Sequence, residues 1–234
     1  MKTIGLVGGM TPESTRIYYE LLIRGARRPG ADPLRNPKII IYSIDLADLV
    51  SLQRAGKRDE IVEYLSAVVG RLELAGAEIA ALTANTPHAY LDELRTVAAL
   101  PLVSIVTATR DAASAQGLRH ALLLGTRTTM ESGIYSDELG NDGIRVTVPD
   151  RAGRRFLDDV IYGELALGRV RPEVRQRFLD ICSHHIEHDG VDSVILGCTE
   201  IPLVIQPDDL PVAVLDTTVI HARAILAAAG SPPA

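Results

Sequence analysis

Three stretches of this chain return in the same order at nearly the same distance. Leu6-Val7-Gly8-Gly9-Met10-Thr11 is matched by Leu123-Leu124-Gly125-Thr126-Arg127-Thr128, 117 residues on. The run from Gly76 to Ala84 is matched by Gly190 to Cys198, 114 on, and Leu100-Pro101-Leu102-Val103 by Leu210-Pro211-Val212-Ala213, 110 on. Each copy reads as short apolar strands that stop at glycine or hydroxyl residues and hand over to helical patterns. Strands alternating with helices build parallel sheets with helices packed outside. The expected fold is therefore α/β, two pseudo-symmetric lobes, each a parallel four-stranded sheet flanked by helices. If the two halves face one another, their strand ends line one cleft, which places the active site between them.

The predicted strands are Lys2 to Val7, Lys38 to Ser43, Glu78 to Thr83 and Pro101 to Val106. In the second half they are His120 to Leu124, Ile144 to Val148, Asp192 to Leu196 and Pro211 to Leu215. Lys38 to Ser43 is apolar on both faces, as a buried parallel strand should be. Thr11 reads as a helix N-cap with Pro12 at the first helical position and Glu13 in the first turn. Ile61, Leu65, Val68 and Leu72 form a helical stripe that Gly76 closes, and Val174, Phe178, Ile181 and Ile186 form another that ends near Gly190. A closing helix is expected from about Thr218 to Ala229. Residues 1–100 with about 207–234 make the first lobe, and residues 101–206 the second.

Composition narrows the function classes. With 234 residues there is room for one large domain or two compact halves. The net charge of −6 provides no basic footprint, so nucleic acid is not an expected partner. No apolar run reaches the length of a membrane span, and the first residues lead straight into a strand rather than a secretory signal. Cys182 and Cys198 are then expected as free thiols in a reducing cytoplasm.

The chemistry concentrates at Val194-Ile195-Leu196-Gly197-Cys198-Thr199-Glu200-Ile201-Pro202. In open α/β proteins ligands sit outside the carboxyl ends of the strands. A cysteine at such a corner, beside free N–H groups and a helix start, is favoured as thiolate, the form that acts as nucleophile or base. The other corners, Gly8 to Thr11, Ala84 to Thr86 and Thr126 to Thr129, offer small hydroxyl and amide side chains. That set suits a carboxylate, and Arg54 and Arg127 are candidates for a charged contact. Gly5-Leu6-Val7-Gly8-Gly9-Met10 lacks the dinucleotide spacing and no phosphate-loop lysine comes after it, so no cofactor is expected.

Gly8-Gly9-Met10-Thr11-Pro12-Glu13-Ser14-Thr15, Ala84-Asn85-Thr86-Pro87-His88, Leu124 to Met130 and Gly197-Cys198-Thr199-Glu200 together resemble the aspartate/glutamate racemase family, over nearly the whole chain. The resemblance implies an isomerase that works without pyridoxal phosphate on a small, acidic amino acid. It also implies a homodimer, and two cysteines on opposite faces of the substrate, one removing the Cα proton and the other returning one. Cys198 matches the second cysteine. The first falls on Ala84, which has no proton to give or take. Thr83 and His88 are the nearest stand-ins. Thr83 is one step along a strand and faces the other way, whereas His88 titrates in the right range. Met10, Thr11, Arg54, Asn85, Thr86, Thr126, Thr129 and Thr199 are the expected substrate contacts, with Glu200 orienting the amine or tuning the thiol. Three outcomes stay open: a slow or one-sided racemase, a single-cysteine decarboxylase or isomerase of the same fold, and an amino-acid-binding homologue that has lost catalysis.

Two other patterns compete for attention. His184-His185-Ile186-Glu187-His188 matches an H-x-x-E-H zinc pattern, but it closes a helix, where histidines suit the negative dipole end, and a clear third ligand is missing. No metal is expected there. Cys182 lies on the apolar stripe of the same helix and reads as core.

Overall fold

The computed structural model describes residues 1–27, 32 and 34–230. The parts of the first lobe that fall on residues 28–31, 33 and 231–234 lie outside these. The chain divides into two compact units, Met1–Ser104 with His221 onward, and Ile105–Ile220.

In the first unit, strands β1 (Ile4–Gly8), β2 (Ile39–Ser43), β3 (Ile79–Leu82) and β4 (Leu102–Val103) pair in the order β2-β1-β3-β4, all parallel. β1 and β3 are central and every residue in them is buried. The pleat sends Val7, Ala80 and Leu82 to the face covered by helix Arg58–Leu74, whose stripe Ile61, Leu65, Val68, Val69 and Leu72 packs there. Ile4, Leu6, Ile79 and Ala81 point the other way, against Tyr18 and Leu22 of helix Pro12–Ala26 and Ala222, Ile225 and Leu226 of helix Thr217–Ala228. A leucine as fully buried as Leu65 contributes about 1.5–3 kcal/mol.

In the second unit, β5 (His120–Gly125), β6 (Arg145–Thr147), β7 (Ser193–Gly197) and β8 (Ala213–Asp216) pair in the order β6-β5-β7-β8, again all parallel. Helices Ile105–Ala115, Ile134–Gly140, Arg151–Gly163 and Pro172–Asp189 flank it, with Tyr135, Leu157 and Phe178 among the buried contacts. The strand order repeats that of the first unit, so the duplication seen in the sequence is also one of topology.

Three expectations need correction. β2 is an edge strand, half exposed with Ile41 at 40%, because a sheet edge has a neighbour on one side only. β4 has two residues rather than six, and Ile105 and Val106 open a helix instead. β8 pairs with β7, and the chain crosses to the first unit at Ile220/His221, within helix Thr217–Ala228, rather than at about residue 207. Thr11 caps its helix as the sequence predicts, its Oγ1 accepting from the Ser14 N–H at 3.1 Å. Gly190 closes helix Pro172–Asp189 at φ +66°. Among the described residues, no helix is long and apolar enough to cross a membrane.

Candidate active site

In the first unit the candidate residues sit where β1 and β3 end. β1 runs into Gly8-Gly9-Met10-Thr11. Gly9 has φ +84°, and a Cβ there would stand 2.2 Å from the Ile44 carbonyl oxygen, so only glycine fits. Its N–H donates to Thr15 Oγ1 at 2.8 Å, and the Thr15 hydroxyl donates to the Thr11 carbonyl at 3.1 Å, which ties the loop to the first helical turn. Met10 and Thr11 are buried.

β3 ends at Thr83 and Ala84. The Thr83 hydroxyl donates to the Val7 carbonyl at 3.0 Å and is fully buried, so its proton is committed to the neighbouring strand. It does not stand in for a thiol. Ala84 is half-buried, Asn85 is buried, and Thr86 opens a 3-10 turn over Thr86–Tyr90. The His88 N–H donates to the Asn85 carbonyl at 2.9 Å. In the His88 ring, Nδ1 lies 2.9 Å from the Ala84 carbonyl oxygen. A carbonyl only accepts, so Nδ1 carries the proton. Burial, and then the neighbouring His221, push this imidazole from its ordinary range down to about 3. His88 therefore does not titrate near neutrality as the sequence suggests. It is a neutral ring and a weak base. Arg54 ends helix Leu46–Arg54 and is exposed.

In the second unit the residues sit where β5 and β7 end. Gly125 and Gly197 face each other in register, and a Cβ on Gly197 would meet the Leu124 carbonyl oxygen and Leu123 Cδ1 at 2.8 Å. The two strand ends approach this closely because neither carries a side chain. Thr126 caps helix Arg127–Glu131, accepting from the Thr129 N–H at 3.3 Å, and its hydroxyl pairs with that of Thr129 at 3.0 Å. Both are buried, whereas Arg127 is exposed.

Beyond Gly197, Cys198, Thr199 and Glu200 are all buried. The Cys198 S–H donates to Glu200 Oε2 at 2.9 Å, and the Thr199 hydroxyl donates to the same oxygen at 2.8 Å. Burial pushes the thiol well above its ordinary range, and the charge and hydrogen bond of Glu200 push it further. The backbone N–H groups of Thr199 and Glu200 pull it back only in part. The thiolate expected from the sequence is thus corrected to a thiol. The chain continues from Glu200 into a three-residue 3-10 turn, Ile201–Leu203, rather than a helix with a substantial dipole. Chemically, the arrangement is a proton donor whose own proton has a carboxylate to move to.

Cys182 is buried on helix Pro172–Asp189, its thiol pushed up to about 12 by burial. His184 and His188 stack at 4.6 Å, and His188 Nδ1 bonds the His184 carbonyl at 2.9 Å. Among the described residues, no three His, Cys, Asp or Glu side chains are placed to hold a metal.

Sequence reasoning passed over His221 and Tyr18, which stand behind His88. His221 Nδ1 lies 2.8 Å from the Tyr18 hydroxyl, Nε2 lies 3.0 Å from the Val103 carbonyl, and the ring meets that of His88 edge-on at 5.8 Å. The one signal is an imidazole in a mostly apolar stretch, Val219 to Ala229, whose other polar residue is Arg223.

Residues 7–225 match the family model described as Asp/Glu/hydantoin racemase. Among solved structures, a Yersinia pestis protein described as a candidate Asp/Glu racemase is 38% identical, covering 98% of this chain and 99% of its own, with a TM-score of 0.89. An aspartate racemase homologue from Pyrococcus horikoshii OT3 is 36% identical over 98% of this chain and 100% of that one, with a TM-score of 0.84. The broad specificity amino-acid racemase RacX of Bacillus subtilis is 22% identical over 235 aligned residues, 94% of this chain and 95% of that protein.

Proposed function

The chain belongs to the Asp/Glu/hydantoin racemase family, and from that we propose that it is an amino-acid racemase that exchanges the Cα proton of a small acidic amino acid through the Cys198–Glu200 pair. The observation that carries this reading is the buried S–H···O bond between Cys198 and Glu200. A thiol held this way passes its proton to the carboxylate when it is to act as a base, and donates it when it is to quench a carbanion. In this reading the Met10-Thr11 backbone, Asn85, Thr86, Thr126, Thr129 and Thr199 hold the carboxylate and amine. Arg54 is the candidate for a side-chain carboxylate.

Position 84 sets the stereochemistry. The residue there is alanine, and Thr83 and the neutral His88 ring are both committed elsewhere. The proposed enzyme therefore has one working thiol and exchanges one enantiomer far faster than it interconverts the two. Proton NMR of L- and D-aspartate and of L- and D-glutamate in D₂O is the test. Loss of the Cα–H signal from one enantiomer, absent in Cys198→Ala, supports the proposal, and no loss from any of the four removes it. Ala84→Cys is the second arm. Supplying a thiol on the other face should raise full racemisation by about 10²-fold or more, the usual scale of one positioned acid/base group.

A second reading is favoured by the same hydrogen bond. A thiol kept protonated is suited to delivering a proton to a carbanion left by decarboxylation, a step that needs no second base. Release of CO₂ from a substituted malonate without Cα exchange of amino acids would select it.

A further inference from the structure

Behind the two loops of the first unit runs a buried chain of polar groups, Tyr18, His221, His88 and the Ala84 carbonyl. His221 is fully buried, and each of its ring nitrogens has a partner. The Val103 carbonyl can only accept, so Nε2 carries the proton and donates to it at 3.0 Å. Nδ1 then presents a lone pair, and the Tyr18 hydroxyl donates to it at 2.8 Å. His88 is the opposite tautomer, Nδ1–H donating to the Ala84 carbonyl at 2.9 Å, with its ring set edge-on against His221 at 79°. Tyr18 also meets the His221 ring edge-on, at 5.6 Å. Tyr18 belongs to helix Pro12–Ala26, whose first turn is bound to the Gly9–Thr11 loop through Thr11 and Thr15. The chain thus links one loop to the other through side chains of two helices and a 3-10 turn.

We propose that His221 is a positioning residue: through Tyr18 on one side and His88 on the other, it fixes the Ala84-Asn85-Thr86 backbone relative to the Gly8–Thr11 loop. The role rests on the racemase reading for its catalytic meaning, although the geometry is independent of it. An apolar core would have filled the same space without buried polar atoms. The hydrogen-bonded part, Tyr18–His221–Val103, specifies one orientation of the His221 ring, because every alternative leaves a donor or acceptor buried without a partner, and His88 is held against that ring by edge-on packing. Burial holds both rings neutral, His221 at about 4 and His88 at about 3, which keeps each nitrogen in the role described.

His221→Leu, His221→Gln and Tyr18→Phe test this. A glutamine amide offers one donor and one acceptor and is the conservative replacement, whereas leucine offers neither. Nitrogen-15 spectra should place the wild-type protons on His221 Nε2 and His88 Nδ1. In His221→Leu, the amide resonances of Ala84 to Thr86 and of Gly9 to Thr11 should shift, and kcat/KM for Cα exchange should fall by about ten- to a hundredfold well below the unfolding temperature, as displaced groups produce. His221→Gln should recover most of both, and Tyr18→Phe should fall between them.

If His221→Leu leaves both sets of resonances and kcat/KM unchanged, or if the glutamine variant is no better than leucine, the positioning role is wrong. Should the leucine variant not fold, Tyr18→Phe, which removes a single oxygen, gives the same reading. A wild-type protein that exchanges no Cα proton would defeat the racemase proposal alone, and the loop resonances would still decide this one.

Discussion

The Cys198 thiol is governed by its neighbour two residues on, and its chemistry is legible only once the Glu200 side chain has a direction. Cys198 and Glu200 are separated only by Thr199, yet the same letters are compatible with a carboxylate turned away and a thiolate held by backbone N–H groups. The structure turns the carboxylate toward the sulfur. Glu200→Gln separates the two effects of that contact. Removing the negative charge lets the thiol titrate lower, though still above its ordinary range because burial is the larger cause. Alkylation of Cys198 at neutral pH should then be faster than in wild type. Cα exchange should nevertheless drop by about 10²-fold, since the thiol has lost the group that takes its proton. Faster alkylation together with undiminished exchange would mean that Glu200 restrains the thiol without serving it. The same logic applies to His88, whose sequence promises a neutral-range titration and whose burial removes it. His88→Ala should leave the pH profile between about 5 and 8 unchanged in shape.

At the level of elements, the local signals were the readable ones. Thr11-Pro12 gives a helix start, and Gly76 and Gly190 mark helix ends, because caps and positive φ depend on the residues themselves. What could not be read depends on who the neighbour is. Lys38 to Ser43 is as apolar as a central strand but lies at an edge, and Ile105-Val106 is β-branched yet starts a helix. Two glycines show how far context matters. Gly76 and Gly9 both have positive φ, +97° and +84°, so alanine at either is strained by about 1–2 kcal/mol. At Gly76 nothing lies within 4 Å of the added Cβ, and the strain is the whole cost. At Gly9 the Cβ would also meet the Ile44 backbone N and O at 2.6 and 2.2 Å, atoms that move only if the strand end moves. Thermal unfolding should therefore show Gly9→Ala losing clearly more stability than Gly76→Ala, with Cα exchange lost only in the former. Equal losses in Tm would mean that the loop yields easily and does not depend on its glycine.

For the molecule as a whole, the duplication gives two units with one strand order but different buried titratable groups, and pH should address them separately. The first unit buries His88 and His221, held at about 3 and about 4 against an ordinary 6.5. Below about pH 6.5 the unfolded chain takes up a proton at each ring and the folded unit does not. Stability present above that pH is therefore lost on acidification, by about 1.4 kcal/mol per pH unit for each ring until its folded value is reached. The exposed pairs Arg58–Glu93 and Arg171–Glu164 add little to this balance, being open to solvent. The second unit buries Cys182 and Cys198, both raised above the ordinary 9. There the sign reverses. As pH rises through about 9, the unfolded chain releases thiol protons that the folded unit keeps, and stability falls. Hydrogen exchange, corrected for its intrinsic pH dependence, should show residues 1–104 and 221–230 losing protection first on going from pH 7 toward 4. His221→Gln removes one of the two protons and should roughly halve that slope. Alkaline exchange beyond about pH 9 should loosen residues 105–220, and Cys182→Ala should relieve part of it. If residues 1–104 and 221–230 keep their protection down to pH 4, or if His221→Gln leaves the slope unchanged, the buried imidazoles do not limit the acid stability of the first unit.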